Sequence, residues 1–128
     1  MKTSLYKVES VLKTKVTLVY PYFRPLGDNS IFRFPPLGLG YIASVLEQNG
    51  FSVDLVDCTF ISQKEALKKI RATNPSIIGV QSIFSMRETV LEMAKLLRKD
   101  CELLIVGGAL PTTNPEAFFQ NFESLASC

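Results

Sequence analysis

The sequence predicts an α/β/α sandwich around a parallel sheet. Two observations carry that prediction. Strand-like runs recur four times, at Val16–Tyr20, Ser52–Asp57, Ile77–Val80 and Leu103–Val106. Each is followed by a stretch whose apolar residues fall at helical spacing or that opens with helix-start residues. Short strands alternating with amphipathic helices must lie parallel and be covered on both faces. At 128 residues the chain is one domain by size, and long enough to bury a real core.

Residues 1–14 form an N-terminal extension in which Leu5, Val8 and Leu12 have the spacing of a short amphipathic helix. The domain proper runs over 15–128. Val16 to Tyr20 reads as a strand buried on both faces, ended by Pro21. Residues 21–34 are a long loop carrying four aromatics, and loops of that length in compact domains are usually functional or mobile. Phe34 and Pro35 each precede a proline and so are extended, while Pro36 suits the first position of a helix running to about Asn49. Leu39, Ile42, Ala43 and Leu46 mark its buried face, and Gly50 is placed to end it in the left-handed conformation. Gly38 and Gly40 cost about 1 kcal/mol each in such a helix, which suggests that a ligand or another strand approaches the backbone there.

The two aspartates of Ser52–Asp57 suit a less buried edge strand. Ser62 with Glu65 makes a capping box for a helix with Ala66, Leu67 and Ile70 inside, stopped by Asn74-Pro75. Ile77–Val80 is apolar throughout. Ser85 with Glu88 repeats the capping box before a helix whose inner face is Val90, Met93, Ala94 and Leu97. Gly107-Gly108 breaks the fourth strand, Ala109 to Thr113 reads as a loop, and Asn114-Pro115 caps a last helix holding Phe118, Phe119 and Phe122. Right-handed crossovers then give the flavodoxin-like, or Rossmann-like, order 2-1-3-4. The usual fifth strand is missing from the sequence, which makes strand four an edge that invites a homodimer.

A net charge of +2, with no basic run, argues against nucleic acid. No apolar run is long enough to cross a membrane, and the N-terminus lacks an apolar signal core, so the expectation is cytoplasmic. The three widely spaced cysteines make neither a disulfide framework nor a metal site, and Cys58 and Cys101 read as ordinary small residues. Histidine is absent, which removes the commonest general base and metal ligand. The carboxylates are scattered, so no catalytic constellation is expected.

Ligands of open parallel sheets bind outside the carboxyl ends of the strands, where the strand order switches. Here that is between strands one and three. The rim comprises Pro21 to Pro36, Gln81 to Ser85 and Gly107 to Thr113. Gly38-Leu-Gly40-Tyr-Ile-Ala43 fits the dinucleotide fingerprint G-x-G-x-x-G/A, with Asp57 where a ribose-binding acid would stand. The glycines nevertheless come behind a loop of about 14 residues and two prolines, whereas the fingerprint needs them in the tight turn.

Five segments together resemble the cobalamin-binding domain that precedes the catalytic domain of many radical S-adenosylmethionine enzymes. They are Val19-Tyr-Pro-Tyr22, Pro35-Pro-Leu-Gly-Leu-Gly-Tyr-Ile-Ala43, Gly50-Phe-Ser-Val-Asp-Leu-Val-Asp57, Pro75-Ser-Ile-Ile-Gly-Val80, and Val106-Gly-Gly-Ala-Leu-Pro-Thr112 with Pro115-Glu116. The resemblance spans roughly residues 15–120. It implies that the corrin is gripped at the rim by Pro21, Tyr22, Pro36, Leu37, Gly38, Gln81, Ser82, Gly107, Gly108, Pro111 and Thr112, with the nucleotide tail running between strand one and Gly107-Gly108. Methionine-synthase-type domains carry a cobalt-ligating histidine after strand one. This chain cannot, as radical enzymes commonly do not, and Gln81 stands where those domains often have serine.

The iron–sulfur motif Cys-x-x-x-Cys-x-x-Cys is also absent, so no cluster is expected in this chain. The expectation is a non-catalytic cobalamin-binding module serving a radical S-adenosylmethionine catalytic domain in cis or in trans, for methyl transfer or related chemistry. The alternatives are a ligand-free interaction domain and a nucleotide-binding protein.

Overall fold

A computed structural model describes residues 14–23 and 35–116. The amphipathic segment expected at 1–13, most of the aromatic loop, and the phenylalanine-bearing helix after Asn114 lie outside the described residues or run beyond them. The strands are β1 (Lys15–Tyr20), β2 (Ser52–Asp57), β3 (Ile77–Gln81) and β4 (Leu103–Gly107), and the helices α1 (Leu37–Gln48), α2 (Gln63–Ala72), α3 (Arg87–Leu97) and α4 (Ala109–Thr113). The sheet order is β2-β1-β3-β4 and every pairing is parallel, as expected.

Paired residues of a parallel ladder point to one side of the sheet. Leu18, Leu55, Gly79 and Ile105 therefore share one face, and Thr17, Val19, Ile78 and Val80 the other. The second face is sealed. Thr17, Val19 and Ile78 are completely buried, and so are Ala66 and Ile70 of α2 and Val90, Met93, Ala94 and Leu97 of α3 that cover it. The buried Thr17 hydroxyl lies 2.6 Å from that of Thr73, which in turn donates to the Ile70 carbonyl at 2.6 Å. A hydroxyl has one proton, so Thr17 is the donor to Thr73. Thr17→Val, which keeps the shape, is expected to cost about 1 kcal/mol in urea unfolding. An unchanged or raised midpoint would contradict that.

The first face is only half covered. α1 lies over β2 and β1, and β1 is sealed beneath it, with Val16, Leu18 and Tyr20 all buried. Right-handed crossovers put α2 and α3 on the far side. Nothing among the described residues covers β4 on the α1 side, and Leu103 and Ile105 are 50% and 49% exposed.

Several local expectations hold. Ser62 accepts the Glu65 N–H at 3.1 Å, and Gly50 ends α1 at φ 89°. Four are corrected. Ile42, expected inside, is 47% exposed because nothing among the described residues packs on that flank of α1. Pro36 is the residue before the helix rather than its first member. Ser85 caps nothing: the Met86 N–H bonds the Ile83 carbonyl, so Phe84–Met86 is already a 3-10 turn and Ser85 cannot take the extended backbone a cap needs. Ala109–Thr113 is a short helix and not a loop. Pro111 falls in its first turn, where the missing N–H loses nothing, and Thr112 donates its N–H to the Gly108 carbonyl at 3.2 Å.

Candidate functional site

The carboxyl ends of β1, β3 and β4 meet at one rim, and the ends of β3 and β4 are fastened together there. Gln81 pairs with Gly107, the Ser82 N–H donates to the Gly107 carbonyl at 2.7 Å, and the Leu110 N–H reaches the Ser82 carbonyl at 3.4 Å. Gly108 makes this closure feasible. Its φ is +118°, and a Cβ there would stand 2.6 Å from the Ser82 carbonyl oxygen. Beside it, Gly107 faces open space, with nothing within 4 Å of where a Cβ would be. A ledge of bare backbone therefore sits on top of a rigid junction.

The first loop brings Tyr22 to this rim. Its ring lies 6.1 Å from that of buried Tyr20 at 26°, so β1 orients it, and it stays 37% exposed. Burial raises the Tyr20 phenol above its usual pKa, with smaller contributions from Asp57 and Tyr22. Asp57 is engaged by its own turn, accepting the Thr59 N–H at 3.0 Å. On the opposite lip, α1 begins with Leu37, 77% exposed, and Gly38 with nothing within 4 Å of a Cβ. The fingerprint glycines thus lie within a helix, which does not form the tight turn of a dinucleotide site.

The expected site residues divide into two groups. Tyr22, Leu37, Gly38, Gly108 and Thr112 are exposed; Pro36, Gln81, Gly107 and Pro111 are half-buried at the same end of the sheet. Pro21 and Ser82 are fully buried. They hold the rim's backbone in place and present no side-chain surface to a ligand.

Sequence reasoning missed two features. One is a groove on the α1 side of the sheet. Helical geometry and the crossover hand turn Gly38, Ile42 and Val45 toward it, Leu103 and Ile105 form its floor, and Gln81 and Gly107 stand at its upper end. Its only sequence signal was Ile42, an apolar residue with no partner. The other is an open cleft of about 560 Å³ between α3 and α4, lined by Phe84, Ser85, Arg87, Glu88, Leu110, Asn114 and Glu116. Phe84, 81% exposed on a rim loop, was its signal. Arg87 and Glu88, consecutive residues of α3, pair with each other at 2.6 Å on its α3 wall.

Cys58 is completely buried, and burial, with Asp57 adding, pushes its thiol up to about 12. The unfolded thiol ionises near 9, so the unfolded state alone loses a proton above that pH and stability falls as pH rises from about 9 toward 12. By about pH 10 the loss is expected to reach about 1 kcal/mol. Urea unfolding of Cys58→Ala should lack this share of the alkaline decline; identical pH slopes would contradict it. Cys101 is half-buried and its thiol is also raised, chiefly by burial. No group of three or more potential metal-ligating side chains occurs among the described residues, and no helix there is long and apolar enough to cross a membrane.

A family model described as the B12 binding domain matches residues 24–125. The chain is 29% identical over 109 residues to 4'-phospho-dehydrooxetanocin synthase of Priestia megaterium, a match covering 76% of this chain and 14% of that protein. It is 29% identical over 105 residues to cytidylyl-2-hydroxyethylphosphonate methyltransferase of Streptomyces wedmorensis, covering 64% and 20%. Among solved structures, it superposes on the cobalamin-dependent S-adenosylmethionine radical enzyme OxsB with aqua-cobalamin bound, at a TM-score of 0.76, 24% identity, 93% of this chain and 17% of that one. The apo form of OxsB gives 0.67 at 25% identity, over 91% and 16%. The chain therefore spans a fifth or less of the length of these relatives.

Proposed function

This chain belongs to the B12 binding domain family, and from that premise we propose that it holds cobalamin at the carboxyl rim and presents it to a radical S-adenosylmethionine catalytic unit in the same or another polypeptide. The observation that carries the reading is the bare backbone at Gly107, at the carboxyl end of β4, and at Gly38, in the first turn of α1, both with open space where side chains would be. A flat macrocycle needs such a surface, and the residues present fit one. Leu37 and Tyr22 supply exposed apolar area for the ring. Gln81 and Thr112 supply hydrogen-bonding groups of the kind that corrin amides take. The nucleotide tail would enter the groove between β1 and the Gly107-Gly108 turn. Ser82 and Gly108 would act by holding the ledge in position rather than by contact.

When bound, cobalamin would supply methyl-transfer or related cobalt chemistry. The chain has no histidine, so no imidazole of its own reaches the metal. Its part is to bind, orient and present the cofactor in the cytoplasm, with the substrate set by the catalytic unit. No strand among the described residues pairs with the outer edge of β4, which would offer a second copy a surface.

Gel filtration of the purified chain with hydroxocobalamin tests the binding. Cobalamin absorbance is expected to travel with the protein. Protein that elutes colourless at micromolar concentrations would overturn the reading and leave a ligand-free interaction domain as the better account.

A further inference from the structure

The α1 side of the sheet is half covered, and α1 is itself half covered. It lies over β2 and β1, and the centre of the open half, over β3 and β4, is two strand spacings away. That is about 10 Å, the distance between the axes of packed helices. At 100° per residue, Leu39, Ala43 and Leu46 of α1 point to the sheet, and Ile42 and Val45 lean toward the open half. Leu37, Tyr41 and Gln48 point away from the sheet, and Glu47 falls on the far flank. Tyr41 is 74% exposed, Ile42 47% and Val45 40%, and Leu103 and Ile105 on the floor of the open half are 50% and 49% exposed. The outer faces of the other two long helices are different in kind: α2 exposes Lys64, Lys68 and Arg71, and α3 exposes Glu88, Glu92 and Lys95. Only α1 turns an uncharged, largely apolar face outward among the described helices of eight or more residues.

We propose that this side of the sheet is the interface of a two-fold dimer, in which α1 of a second copy fills the open half. The axis runs between the two α1 helices and parallel to the strands. Rotation about it stacks the second sheet over the first, with its β2 and β1 opposite the first copy's β3 and β4. Each α1 then packs its inner face on its own sheet and its outer face on β3 and β4 of the other copy. The two sheets share one layer of two helices. Three observations favour this occupant. The helix needed to fill the gap is the one already present on that side, at the spacing that packed helices take. Other modes leave residues in water: pairing along the β4 edge covers none of Tyr41, Ile42 and Val45, and a single foreign helix laid in the gap leaves Tyr41 open, because Tyr41 points away from the sheet. A helix together with a second sheet covers all five residues. Finally, Tyr41, Ile42, Val45, Leu103 and Ile105 expose roughly 500 Å² per copy, or about 1,000 Å² for the pair, which is the size a specific interface has to reach. With the axis parallel to the strands, both carboxyl rims lie at the same end of the dimer. The inference stands apart from the cobalamin reading, since none of these five residues was assigned to the cofactor.

Two measurements on the full chain, without cofactor, test it. Sedimentation equilibrium of the unaltered chain at tens of micromolar should give a dimer; a monomer would overturn the proposal. Oxidative cross-linking then reads the arrangement. The axis passes beside Ile42, so the Ile42 Cα atoms of the two copies stand roughly 5–6 Å apart on facing flanks, within disulfide reach. In a background where Cys101 and Cys128 are serine, Ile42→Cys should form disulfide-linked dimer at least about tenfold faster than Glu47→Cys on the far flank, because paired sites meet at millimolar effective concentration. Far-UV circular dichroism verifies that both variants are folded. Equal rates for the two positions would overturn the proposal and assign any dimer to another surface, such as the β4 edge.

Discussion

Gly108→Ala is expected to destabilise the protein by about 3 kcal/mol and to loosen the rim. Two effects combine. The backbone at φ 118° and ψ −170° lies in a region that essentially only glycine occupies, at a cost of about 1–3 kcal/mol for another residue. In addition, the new methyl would stand 2.6 Å from the Ser82 carbonyl oxygen and 3.2 Å from its nitrogen, so backbone must move. The atoms displaced are those that fasten β3 to β4, through the Ser82 N–H to Gly107 carbonyl bond. Against a total stability of about 5–15 kcal/mol, the loss is large. Urea unfolding checks it. A variant as stable as the parent would show that the turn can relax, and that the junction is not rigid.

Gly107→Leu is the complementary case, because it leaves the fold alone and fills the ledge. Gly107 is the last residue of β4, has no positive φ, and faces open space. A side chain there meets no neighbour, so stability should stay within about 0.5 kcal/mol or rise slightly, as glycine in a strand is itself unfavourable. Cobalamin affinity, by contrast, should fall about 100-fold or more, since a branched side chain would occupy the surface on which the ring lies. Equilibrium binding with hydroxocobalamin, alongside thermal unfolding, separates the two effects. Undiminished binding by a folded Gly107→Leu protein would move the cofactor off this ledge.

The sheet was legible because its strands are short, apolar and separated by segments of clear helical period. β1, buried on both faces, could be read from Val16–Tyr20 alone, and the edge position of β2 from its two aspartates. The helix bounded by Ser62 was legible from cap chemistry, and α1 from Gly50. The failures have one character: they depend on what lies next to a residue in space. Ile42 has the spacing of a core residue, but burial also requires a neighbour, and none of the described elements stands there. Ser85 has the identity of a cap, but a 3-10 hydrogen bond at Met86 begins the helix before it. Pro111 reads as a helix breaker unless its place in the first turn is known. At the rim, the sequence named segments that the structure brings to one end of the sheet. It did not separate residues that present a surface, such as Tyr22 and Leu37, from Pro21 and Ser82, which are sealed beneath it. That distinction depends on three-dimensional packing, and local pattern does not reveal it.

The most direct measurement of where the cofactor sits is amide hydrogen exchange of the full chain with and without hydroxocobalamin. The account predicts slowed exchange at residues 37–41, 81–84 and 107–112, with the interior of α2 unchanged. Slowing confined to the cleft between α3 and α4, at residues 85–88 and 114–116, or no slowing at saturating hydroxocobalamin, would contradict it.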